Sequence, residues 1–156
     1  MIKRLLVANR GEIAVRIMAT AAALGIETVA VYPADDAACG HVSRADTAVE
    51  LPGTGAAAYL DVDAIIAAAA GAGCDTLHPG YGFLSERPEL AARCAGAGVR
   101  FAGPGPDALA LFGDKAAARA RARELGVPIL AGTGVDAFVV STDNELTEDP
   151  VNENRA

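Results

Sequence analysis

Residues 5–32 read LLVANRGEIAVRIMATAAALGIETVAVY, and the order of signals inside this stretch decides the fold. Leu5 to Ala8 is a short apolar run of strand length, and Asn9-Arg10-Gly11 is a turn. Ile13, Ile17, Ala21 and Leu24 then recur at helical spacing until Gly25 ends the pattern. Thr28 to Tyr32, TVAVY, is rich in β-branched residues and reads as a second, buried strand, followed by the polar loop PADDAACG.

The same alternation continues outward. Thr47 to Leu51 forms a weaker third strand, and Asp61 is placed to N-cap a helix in VDAIIAAAAGAG. Asp75 to His78 and Arg100 to Ala102 supply two further strands, with Pro88 opening a helix between them. Pro106 opens another helix, Asp114 opens the helix DKAAARARARELG, and Val127 to Leu130 is expected to be a last strand. Strands alternating with helical crossovers predict an α/β fold, a Rossmann-like parallel sheet with helices on both faces. From Val135 the period stops. DAFVV has the composition of one more strand, and STDNELTEDPVNENRA reads as a disordered, acidic tail.

Composition narrows the function. Of 156 residues, 36 are Ala and only seven are Phe or Tyr, so slim helices should lie close on the sheet. The net charge is −7, of which residues 141–156 contribute −4, which argues against a nucleic-acid partner. Cys39, Cys74 and Cys94 are widely spaced, without CxxC and with only two histidines, so neither a disulfide framework nor a zinc site is expected. The apolar run near the N-terminus is too short for a signal peptide, and no stretch approaches the ~20 apolar residues of a membrane span. A cytoplasmic protein without a membrane partner is the expectation.

A strand–turn–helix start raises the possibility of a dinucleotide site, which needs G-x-G-x-x-G so that backbone can approach a pyrophosphate. ANRGEIAVR has one glycine, with Arg10 and Glu12 where small residues are required. This argues against an NAD-binding enzyme.

His78 to Glu86, HPGYGFLSE, spends two aromatics, two glycines, a proline and a histidine on one loop. One reading is structural: Pro79 and Gly80 break the strand, and Tyr81 and Phe83 fold back as a lid on a small-volume core. The other is functional, because open α/β sheets bind ligands at the carboxyl ends of their strands. The two are compatible if Phe83 is structural and Tyr81 and Gly82 face the ligand. His78, before a proline at a strand end, reads better as a hydrogen-bonded structural residue than as a general base. Glu86 is open to a local base such as Arg87 or to another domain.

VANRGEIAVR, then LHPGYGFLSE, then FAGPGPDALALFGDKAAAR and GVPIL, in that order, closely resemble the N-terminal domain of the biotin carboxylase family, from about Lys3 to Gly134. The resemblance implies a pre-ATP-grasp domain over residues 1–134 with an irregular acidic tail over 135–156. The family's enzymes use ATP, Mg²⁺ and biotin: ATP and bicarbonate give carboxyphosphate, whose CO2 passes to biotin on a biotin carboxyl carrier protein. By the same resemblance Tyr81 and the Gly82 N–H border the biotin pocket, and Lys115 matches a lysine that contacts ATP. The alternative for Lys115 is a solvated residue in a first helical turn, where a cation is slightly unfavourable.

Nothing after Leu130 resembles the glycine-rich lid or the carboxylates that hold Mg²⁺ in ATP-grasp enzymes; AGTG is too short. The ATP-grasp and C-terminal domains are therefore expected to be absent, leaving the remaining biotin carboxylase domains or subunit as partners and the chain inactive alone. A second reading is a non-catalytic, Rossmann-like interaction or weak nucleotide-binding module derived from a carboxylase. An independent nucleotide-dependent enzyme is a third. Arg10 and Arg16 are read either as a local Arg10–Glu12 contact with an exposed Arg16, or as docking groups. Ala19 and Ala23 stand where bacterial members often carry charges at a dimer contact, which argues against the usual homodimer.

Overall fold

Five short strands form one wholly parallel sheet in the order β3-β2-β1-β4-β5: β1 (Arg4–Val7), β2 (Glu27–Pro33), β3 (Thr47–Leu51), β4 (Thr76–His78) and β5 (Arg100–Phe101). This computed structural model describes residues 1–130. It divides into two compact units, the first spanning Met1–Asp114 and the second beginning at Lys115. The sheet lies wholly in the first.

Side chains alternate across the central strand, as the two-residue period of a strand requires. Leu6 and Ala8 join Val29 and Val31 in one core, while Leu5 and Val7 join Ala30 in another on the opposite face. The second core is closed by Ala14, Met18 and Ala21 of α1 (Gly11–Ala23). The first is closed by Ile65, Ala68 and Ala69 of α3 (Val62–Gly71) and by Leu90 and Cys94 of α4 (Pro88–Gly96). The expected helices on both faces are present, and alanine lines their inner sides. Asp61 caps α3, its side chain accepting from the Ala64 N–H at 3.0 Å. Pro88 and Pro106 sit in the first turns of α4 and α5 (Pro106–Gly113), where a missing N–H costs nothing.

Between β2 and β3 the chain makes the expected polar loop, with only a 3-10 turn at Ala34–Asp36. Asp46 ties that loop down, accepting from both the N–H and the hydroxyl of Thr28 at 2.8 Å; these bonds hold its carboxyl below the usual range. A short helix, α2 (Gly55–Ala58), follows β3 in a segment too short to show a helical period.

Val127–Leu130, expected as a strand, is not one: it joins no ladder. Pro128 removes a donor from the middle of the run, and the Leu130 carbonyl instead accepts from the Arg119 guanidinium at 2.9 Å. Arg119 lies on α6 (Lys115–Glu124), a helix of the second unit. The possible strand at DAFVV and the acidic tail fall outside the described residues. Among the described residues no helix is long and apolar enough to cross a membrane.

From β1 the chain runs outward through β2 to β3, then crosses back to β4 on the other side of β1. The connectivity reverses between β1 and β4, and the crevice outside the carboxyl ends of those two strands is where open α/β sheets bind ligands.

Ile65 is fully buried between α3 and the sheet. Ile65→Ala should destabilise the chain by about 2–5 kcal/mol, and loss of the Asp61 cap in Asp61→Ala by about 1 kcal/mol. Urea midpoints at constant slope check both, and an Ile65→Ala midpoint equal to that of the parent chain would contradict the packing described.

Candidate functional site

The loops after β1 and β4 meet at this reversal. Asn9, directly after β1, is 2% exposed. Its Nδ2 donates to the carbonyls of Pro79 and Tyr81, both at 2.8 Å, and its Oδ1 accepts from the Arg10 N–H at 2.9 Å. A side chain at Gly80 has no room: its Cβ would lie 2.6 Å from Asn9 Nδ2, and its φ of +68° favours glycine in any case. The Gly80 N–H donates to His78 Nδ1 at 3.0 Å, and burial pushes the pKa of that imidazole down. His78 therefore holds the turn as a neutral, hydrogen-bonded residue.

The loop's two aromatics do different things. Phe83 turns inward and stacks on Tyr59, ring centroids 5.1 Å apart and planes 24° apart. Tyr81 is 62% exposed, so the lid of two aromatics is reduced to one. The reason is local: Asn9 holds the Tyr81 carbonyl inward, and the residue's ring is left outside. Gly82 is exposed beside it, and its N–H has no acceptor among the described residues. Below this tip, Leu84 is buried in the core and anchors the chain.

A polar cluster underlies the loop. Arg10 pairs with Asp36 at 3.1 Å, not with Glu12, because Glu12 faces along α1 and pairs with Arg16 one turn on at 3.5 Å. The Tyr59 hydroxyl also donates to Asp36, at 2.8 Å, and the Arg10 guanidinium lies 5.9 Å from the Tyr59 ring centre. His41 is buried alongside, its Nε2 3.3 Å from the Val31 carbonyl. Burial pushes the phenol of Tyr59 up and the imidazole of His41 down.

Asn9, Asp36 and Tyr59 were not singled out by sequence. The available signals were an asparagine closing the first strand at a sheet reversal, and in Tyr59 the one aromatic between residues 33 and 80.

Lys115 is exposed at the start of α6, in the second unit. Tyr81 and Gly82 are adjacent in the first. Glu86 is exposed and has no ion-pair partner among the described residues, Arg87 included. Among the described residues no group of three His, Cys, Asp or Glu could hold a metal ion. What the first unit offers a ligand is an aromatic face and a free backbone donor on a braced turn.

Two measurements follow from this geometry. Gly80→Ala should unfold at lower urea than the parent chain, and adding Asn9→Ala should cost less than the two single changes summed, because the clashing carboxamide is gone; strict additivity would contradict the contact. Both histidines have folded-state pKa values below the ordinary 6.5. The unfolded chain therefore binds more protons as pH falls, so their contribution is complete above about pH 6.5 and lost progressively below it. Urea midpoints measured from pH 7.5 to 5.5 should fall, and a flat profile would overturn the assignment.

The family model for the biotin carboxylase N-terminal domain matches residues 1–109. The chain is 50% identical over 145 residues to a putative urea carboxylase of Emericella nidulans, covering 93% of this chain and 12% of that protein. It is 46% identical over 136 residues to the biotin carboxylase of Halalkalibacterium halodurans, covering 86% of this chain and 30% of that one. Among solved structures, the biotin carboxylase domain of Hydrogenobacter thermophilus 2-oxoglutarate carboxylase, in complex with MgADP and bicarbonate, superposes with a TM-score of 0.82 at 39% identity, covering 85% of this chain and 29% of that one. The chain thus spans less than a third of the length of these relatives, and with the family model matched over residues 1–109 it belongs to the family of biotin carboxylase N-terminal domains.

Proposed function

We propose that this chain supplies the N-terminal domain, residues 1–134, of an ATP-dependent biotin carboxylase, and that the loop after β4 forms one wall of its biotin pocket. The observation that carries the reading is the exposed Tyr81–Gly82 tip, set at the sheet's reversal and braced by the buried Asn9 carboxamide. An aromatic face packs well on a flat ureido ring, and the free Gly82 N–H suits its carbonyl oxygen.

In this proposal Lys115 serves as a point-charge partner for an ATP phosphate, a role supported by the MgADP in the Hydrogenobacter thermophilus relative. The remaining biotin carboxylase domains and a biotin carboxyl carrier protein are its partners. Phosphoryl transfer requires cations and metal ligands around the developing charge. The chain spans less than a third of the length of relatives such as the Halalkalibacterium halodurans biotin carboxylase, which supports the reading that it acts together with further domains.

The test is a fusion in which this chain's residues 1–130 replace the corresponding segment of the Halalkalibacterium halodurans enzyme. The fusion should hydrolyse ATP in a biotin-dependent manner, whereas the isolated chain with ATP, Mg²⁺, bicarbonate and biotin should release no ADP above background. Tyr81→Ala in the fusion should raise the KM for biotin about tenfold, the loss of roughly 1.4 kcal/mol of binding, with kcat little changed. An unchanged KM would remove Tyr81 from the pocket.

A further inference from the structure

Phe83 has a φ of +42°, the only positive value outside glycine among the described residues. Such a conformation is unfavourable for a bulky residue and persists only where the surroundings fix it. Here the fixing group is Tyr59, on which the Phe83 ring is stacked. Tyr59 is 1% exposed, and its own position is set by the hydrogen bond to Asp36.

Asp36, itself 6% exposed, accepts from Tyr59 at 2.8 Å, meets the Arg10 guanidinium at 3.1 Å and receives the Cys39 thiol at 3.5 Å. Arg10 follows Asn9, whose carboxamide holds the Pro79 and Tyr81 carbonyls and accepts from the Arg10 N–H. The loop is therefore gripped on both sides of its tip, by Asn9 before it and by the Phe83–Tyr59 stack after it. Both grips connect to one carboxylate.

We propose that Asp36 is a positioning residue for the Tyr81–Gly82 tip, acting through Tyr59 and Phe83 on one side and through Arg10 and Asn9 on the other. Its relevance to catalysis rests on the reading of the tip as a biotin wall. The Arg10 side chain is 43% exposed, so its ion pair with Asp36 contributes little stability by itself. What this one provides is direction: a guanidinium and a phenol are held at fixed angles to the same carboxylate, and the loop's strained residue leans on the phenol.

Asp36→Asn removes the charge, and Tyr59→Phe removes the hydroxyl while keeping the ring; both preserve volume. Met18→Ala serves as a variant destabilised in the separate core on the opposite face of the sheet. In ¹⁵N-labelled 156-residue chain, Asp36→Asn and Tyr59→Phe should shift or broaden the Gly82 and Phe83 amide resonances, and Met18→Ala should not. In the fusion enzyme the same two variants should raise the KM for biotin about three- to tenfold, with the KM for ATP unchanged and Met18→Ala changing neither. Tip resonances that move no more than in Met18→Ala would overturn the proposal. So would an unchanged KM for biotin in Asp36→Asn if Tyr81→Ala raises it. If Tyr81→Ala leaves that KM unchanged, the biotin-wall reading fails on its own, and the tip resonances decide for or against Asp36.

Discussion

The carboxamide of Asn9 joins the two halves of this fold at the point where they diverge. One half of the sheet grows from β1 toward β3 and the other from β4 toward β5. The ladder between β1 and β4 ends with the Ala8 N–H donating to the His78 carbonyl at 2.9 Å. Beyond it Asn9 takes over the pairing with a side chain, donating both amide hydrogens to carbonyls that the turn leaves without strand partners. Aspartate would offer no hydrogens there, and glutamine would place them one methylene too far. Each unsatisfied carbonyl in such a site costs about 1–3 kcal/mol, so the asparagine and the facing Gly80 constrain each other.

The sheet and most of its helices could be read from sequence because their causes are local. The spacing of Ile13, Ile17 and Ala21, the cap at Asp61 and the prolines at 88 and 106 each act within one or two turns of chain. The loop after β4 could likewise be placed at a strand's carboxyl end. The site's supports could not be read in this way. Asn9 bonds to residues 70 and 72 positions away, and a turn asparagine looks the same whether it bonds locally or across the sheet. Proximity in sequence suggests Glu12 as one partner for Arg10, but a helix pairs residues three and four apart, so Glu12 pairs with Arg16 and Arg10 with Asp36. Val127–Leu130 failed for a related reason: an apolar run becomes a strand only if a ladder accepts it, and Pro128 weakens its claim to one.

The motif HPGYGF also separates into individual tasks once its contacts are known. His78 accepts the Gly80 N–H, Gly80 makes room for Asn9, and Phe83 fills the space above Tyr59. That last contact has particular weight in a core built mainly from alanine, where Tyr59 is the largest fully buried side chain. Tyr81 and Gly82 are the exposed residues of the motif: the Tyr81 ring lies in solvent, and the Gly82 N–H has no acceptor among the described residues.

An exposed tyrosine on a loose loop would lose conformational freedom on meeting a ligand, and binding would be weaker by that amount. On this loop the backbone on both sides of Tyr81 is already held by buried groups, so ordering the tip has been accomplished during folding. The ring has few angles left to fix. In the proposed role, a ligand at the sheet's reversal would gain the full contact of ring and N–H, with the opposite wall supplied by further carboxylase domains. The arrangement is consistent with a domain that contributes geometry to a shared pocket and leaves the reacting charges to its neighbours.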